Sequence, residues 1–252
     1  MDETPKYVGR DLPFVIDPAL QAIGACVGAL RAAVNRGFGV VLDTSRDRVV
    51  GPEFIMSVSI LLRMMECALS VEMLASKGRQ RDAAVLVLTL MELRLDLRYA
   101  AQDSTRASAW LAKTDKGRKP WRVSKQIKAT CQESRDREAE LANYQHFSMV
   151  KHGNPLGGMA SFPLEVSTEG IVLRIDPDDK VNLNLCIMCL FAAGTCLRDA
   201  FSAAVSLLQA TGAGIDQAIV EIDDAMAAVD RAHNTHVHRM VEAWVSPGTR
   251  DA

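Results

Sequence analysis

Aromatic residues are scarce. Phe, Trp and Tyr make up 5% of the chain, so its core has to be built from Ala, Leu, Val and Met, which favours helices over a β-sandwich. Net charge is scarce too: 29 Lys and Arg stand against 31 Asp and Glu, a balance of -2 that excludes a generally basic nucleic-acid coat. The 48% hydrophobic content excludes disorder of the whole chain. Walker, dinucleotide-binding, H-E-x-x-H and EF-hand motifs are missing, which sets aside the common nucleotide enzymes. Gly24-Ala25-Cys26-Val27-Gly28 follows no strand pattern and cradles no phosphate. The opening Met1-Asp2-Glu3-Thr4-Pro5 is acidic and has no apolar core of a secretory signal. The most apolar stretch, Val181 to Leu197, is interrupted by Asn182 and Asn184 and falls short of the roughly 20 residues that span a bilayer. The expectation is a cytoplasmic protein with no membrane contact.

What is present is helical periodicity. With no repeat and no long linker, residues 1–252 read as a single mainly α domain: a multi-helix bundle with a long central antiparallel helical hairpin and a small β-hairpin insertion. An irregular arm covers 1–18. Pro18 opens a helix over about 19–36, which Gly37 and Gly39 end. Helices over about 53–76 and 82–102, the second capped by Asp82, form the hairpin; both are apolar on most faces and therefore central. Short helices carry Trp110 and Trp121 on either side of a linker at 115–119. A longer helix covers about 132–151 and stops at a Gly- and Pro-rich turn. Residues 163–176 read as the β-hairpin. A long helix reaches about Gln209, and a last one covers about 216–232 with a break near Asn234. Residues 246–252 are a tail.

Of the six cysteines, Cys186 and Cys189 have metal or redox spacing. They lie in an apolar helical run without a second pair, so they read as small core residues.

Charge inside greasy helices marks the first candidate site. Arg63 and Glu66 sit in one arm of the hairpin, Glu92 and Arg94 in the other. Equal rise along both arms puts positions summing to about 157 at one height, so opposite charges are expected to meet. Such a cluster either fixes helix register or forms a polar pocket for an anion or acid–base work. A second column, Glu140, Tyr144, Ser148 and His152, repeats at four-residue steps along one helix face. Histidine there is suited to carry a proton near neutrality.

The hairpin with Glu92 and Arg94, followed by the helix ending in Tyr144, Ser148 and His152, resembles bacterial all-helical families of unknown function that are distantly HEPN-like, over about residues 54–210. The resemblance implies RNA binding or metal-independent RNA cleavage in stress or defence, usually at a dimer interface. It implies a site of Arg63, Glu66, Glu92, Arg94, Tyr144, Ser148 and His152, with no metal and no cofactor. The family's motif, an Arg followed a few residues later by a His, occurs here only at Arg231 to His238.

Between Arg106 and Lys128 the chain is basic, with Lys113, Lys116, Arg118, Lys119, Arg122, Lys125 and Lys128 opposed only by Asp115. With Trp110 and Trp121 interleaved, the stretch reads as an RNA grip or as a solvated face with Trp anchors. His233, His236 and His238 read as an exposed cluster rather than a metal site. Two main functions follow: an HEPN-like RNA protein, or a non-enzymatic interaction and scaffold protein whose ion pairs are structural. A third and weaker one is a metal protein using His233, His236 and His238. The chain is expected to be homo-oligomeric.

Overall fold

The computed structural model describes residues 17–44, 50–114, 121–151, 164–167, 170–173 and 182–245. The arm before residue 17, the linker at 115–119, the Gly-rich turn after Lys151 and the tail at 246–252 lie outside them. So do residues 163, 168–169 and 174–176 of the segment expected to hold the β-hairpin.

Asp17 starts the first helix, α1 (Pro18–Thr44). Its Oδ1 accepts from the backbone N–H groups of Ala19 and Leu20 at 2.8 and 2.9 Å. The expected stop at Gly37 does not occur. A Cβ at residue 37 would stand 2.8 Å from Phe201 Cζ and 3.2 Å from Ala218 Cβ, so this glycine lets three helices approach rather than ending one. Pro52 opens α2 (Pro52–Ser76), where its missing N–H costs nothing, and Gly78 makes the turn at a φ of 69°. α3 (Gln80–Ala101) begins two residues earlier than expected. Arg79 takes the cap position, and Asp82 pairs with it at 2.5 Å from inside the first turn.

Beyond α3 come α4 (Thr105–Thr114), α5 (Val123–Thr130) and α6 (Ser134–Lys151). Trp121 precedes α5 instead of riding on it. α7 (Leu183–Leu208) is capped by Asn182, whose side chain accepts from the Leu185 N–H at 3.0 Å, and it ends where Gln209 turns left-handed at a φ of 49°. α8 (Ala213–Val245) runs through Asn234 without the expected break.

The described body is thus mainly helical. Its most buried elements are α3 and α7, with 12 of 22 and 14 of 26 residues inside against 9 of 25 in α2. α7 packs on α1, α2, α3 and α8; α1 also lies along α8, and α5 and α6 cover α3. α2, expected to be central, is buried along one side only: Ile55, Leu62, Leu69 and Met73 stay exposed. The length argument against spanning is corrected too. α1, α2 and α7 are each long and apolar enough to cross a membrane by length and composition, although 61% of the most apolar window of α7 is buried within the protein.

Candidate functional site

α3 carries a polar run on an otherwise greasy helix, and each member finds a different neighbour. Arg94 is buried, with 6% of its side chain exposed. It pairs with Glu140 of α6 and, at 3.3 Å, with Asp199 of α7. Asp199 also receives Arg198 at 3.3 Å, and Arg198 reaches Asp223 of α8 at 2.9 Å. An alternating chain of charge therefore stitches α6, α3, α7 and α8 together. Burial is the largest influence on Arg94 and opposes its charge. Cys196, Glu140 and Asp199 together outweigh it and hold the guanidinium pKa above its ordinary value. Its Nε is buried without a hydrogen-bond partner.

Three further hydrogen bonds flank this pair. Tyr144 of α6 donates to Glu92 Oε1 at 2.9 Å. Asp96 accepts from Gln126 Nε2 at 2.5 Å and from the Trp110 indole N–H at 3.2 Å. Trp121 meets the Tyr99 ring edge-on at 4.9 Å, and the Arg106 guanidinium lies 3.8 Å over that ring. Both tryptophans of the basic stretch are half-buried anchors.

The expected meeting of Arg63 and Glu66 with Glu92 and Arg94 does not take place. The seam of α2 against its neighbours runs through Met56, Ile60, Met64, Cys67 and Val71, and residues 63 and 66 lie off it, exposed. Height alone does not decide whether two side chains face each other. Ser148 is half-buried on α6, and His152 lies outside the described residues. Of the cations, Lys113, Arg122, Lys125 and Lys128 are exposed, the last three along α5; Lys116, Arg118 and Lys119 lie outside the described residues.

A cavity of about 260 Å³ opens beside the buried pair, walled by Met91, Phe147, Met188 and Phe191, with Asn143 and His233 adding polar groups. His233 stacks on Phe191 at 4.1 Å between ring centroids, so this member of the cluster that read as exposed is part of the wall. Burial, then the nearby His236, pushes its pKa below the ordinary value. His236 bonds Asn184 Oδ1 at 3.0 Å. Among the described residues, no three or more His, Cys, Asp or Glu side chains converge as a metal site requires. Cys186, Cys189 and Cys196 are buried free thiols. Burial pushes Cys186 and Cys196 up to about 11 and Cys189 higher still, so none is poised as a nucleophile.

Asp199 and Cys196 were missed in the sequence. Asp199 carried a usable signal, being an acid inside the most apolar helix. Compared with known proteins, the chain matches no family model, no curated protein and no solved structure.

Proposed function

We propose that the chain is a non-enzymatic helical interaction protein and that its internal charges are frame rather than chemistry. One observation carries this reading: Arg94 is buried, and both of its terminal nitrogens are spent on acids from two other helices. Removing one partner of such a pair strands a buried charge, whereas a reactive group needs access to a substrate. In this reading Tyr144 and Glu92 brace α6 on α3. The six free cysteines suit a reducing compartment such as the cytoplasm. The bundle is taken as water-soluble, with the apolar faces of α1 and α7 turned inward. Residues 164–167 and 170–173 are read as the two strands of the small hairpin, supported by backbone pairing of Leu164 with Leu173 and of Ser167 with Gly170.

The test sets Arg94→Ala against activity. A lowered melting temperature with the helical fold retained is expected. RNA that is cut by the purified chain, and left intact by a His152→Ala variant, overturns the reading in favour of a ribonuclease.

A second reading, RNA binding of the HEPN-like kind, is favoured by one observation. Arg122 at the N-cap of α5, and Lys125 and Lys128 on the helix, recur at three-residue steps and are exposed. Fluorescence anisotropy with a single-stranded RNA checks it. Binding that weakens steeply with salt and disappears in Arg122→Glu/Lys125→Glu/Lys128→Glu supports a grip on phosphates, and salt-independent or absent binding sinks it.

A further inference from the structure

α2 keeps a strip of apolar side chains on its outer face. Ile55, Leu62 and Leu69 recur every seven residues, 40, 46 and 43% exposed, and Met73 lies one turn beyond at 54%. A seven-residue repeat holds its members on one line along a helix, the pattern of a helix–helix seam. Ser59, Arg63 and Glu66 are the exposed polar residues on the same strip. Neither Arg63 nor Glu66 makes an ion pair with another described residue.

The strip is complementary to itself. If two copies of α2 run antiparallel with a two-fold axis at the level of Met64, residues whose numbers sum to 128 face each other. Ile55 then meets Met73, Ser59 meets Leu69, and Leu62 packs on the stem of Glu66. Arg63 falls within one residue, about 1.5 Å of rise, of the opposing Glu66, so the two unpaired charges of each copy find the opposite sign on the other. No other occupant is matched as well. A lipid face is ill served by an Arg and a Glu in mid-strip, because charge within hydrocarbon is costly. We propose that the chain forms a two-fold homodimer through this antiparallel α2 seam, with Arg63 and Glu66 setting its register. The proposal goes beyond the reading of Arg94 and shares no residue with that cluster, so either can fail without the other.

The experiment uses the full chain. Sedimentation velocity is expected to give a species of twice the 27.5 kDa chain mass. Leu69→Glu, on an exposed position, is expected to weaken association at least tenfold with helical content unchanged. Arg63→Glu weakens it as well, and Arg63→Glu/Glu66→Arg restores it. Under mild oxidation, with the unsubstituted chain as control, Ile55→Cys/Met73→Cys links two copies. Ile55→Cys alone does not, since its own mates lie about 27 Å apart along the seam. The crosslink decides the matter even if Leu69→Glu fails to fold. A monomer at every concentration overturns the proposal. So does a dimer indifferent to Leu69→Glu, or one in which Ile55→Cys links to itself as a parallel pair would. Co-sedimentation with phosphatidylcholine vesicles that Leu69→Glu abolishes assigns the strip to lipid instead.

Discussion

Tyr144 on α6 donates its hydroxyl proton to Glu92 Oε1 on α3 across 2.9 Å, so an acid on the central layer is held by a phenol that cannot ionise without repelling it. Burial, then the hydrogen bond to Glu92, pushes the Tyr144 pKa from 10 up to about 12. Because the folded value is the higher one, the contribution to stability is complete below pH 10 and lost as pH rises towards about 12. Tyr144→Phe is expected to cost about 1 kcal/mol near neutrality, the usual net worth of such a bond. It also removes part of the alkaline loss. Urea midpoints measured across that window for both proteins check the point; identical pH profiles contradict it.

Arg94→Ala leaves Glu140 and Asp199 facing a hole where their shared cation stood. The expected loss is about 3–5 kcal/mol, the range for breaking one side of a buried ion pair. Arg94→Met/Glu140→Leu removes the buried pair together, so it is expected to cost less than the sum of its single substitutions. Chemical denaturation of the three variants forms a double-mutant cycle that reads this coupling directly. Additive losses show that Arg94 and Glu140 do not stabilise one another.

The helices were legible because their periodicity is local. α2 keeps its expected extent within a residue or so, since Pro52 marks its start close by in the chain. What failed needed knowledge of neighbours. Gly37 reads as a terminator until Phe201 is seen pressed against it, 164 residues away in sequence. The charges of the hairpin were rightly singled out, but their partners were assigned by height along two helices. Arg94 turns instead to α6 and α7, and Arg63 and Glu66 face outward. His233 looked exposed because its own helix is polar around it; the Phe191 ring that covers it belongs to α7.

The stacking of His233 on Phe191 makes the bundle sensitive to mild acid. Burial and the neighbouring His236 depress its pKa below 6.5, while Asp230 and Asn234 pull the other way and do not prevail. A base with a depressed folded pKa gives stability above its ordinary value, and that stability is lost as pH falls from about 6.5. The melting temperature is therefore expected to drop between about pH 7 and pH 5, before most carboxylates titrate. His233→Phe keeps the stack without a titrating ring and is expected to flatten that part of the profile. A parallel decline in both proteins assigns the acid sensitivity elsewhere.

Gly37→Ala tests the packing of α1, α7 and α8 against ordinary helix propensity. In an exposed helix the change gains about 1 kcal/mol, because alanine loses less backbone freedom on folding. Here the new methyl group would stand 2.8 Å from Phe201 Cζ and 3.0 Å from its Cε2, inside the closest approach such atoms tolerate. Phe201 is fully buried, at 1% exposure, so its ring has no solvent side to move towards. Overpacking of this kind costs about 1–3 kcal/mol. That outweighs the propensity gain over most of its range, and the net expectation is a loss of about 1 kcal/mol. Phe201→Leu removes the clashing ring edge, so alanine at residue 37 should be tolerated better in that background than in the native one. A cycle of the two single variants and the pair, read by thermal denaturation, is expected to show favourable coupling. A stabilising Gly37→Ala in the native background would mean that the three helices do not approach closely at this point.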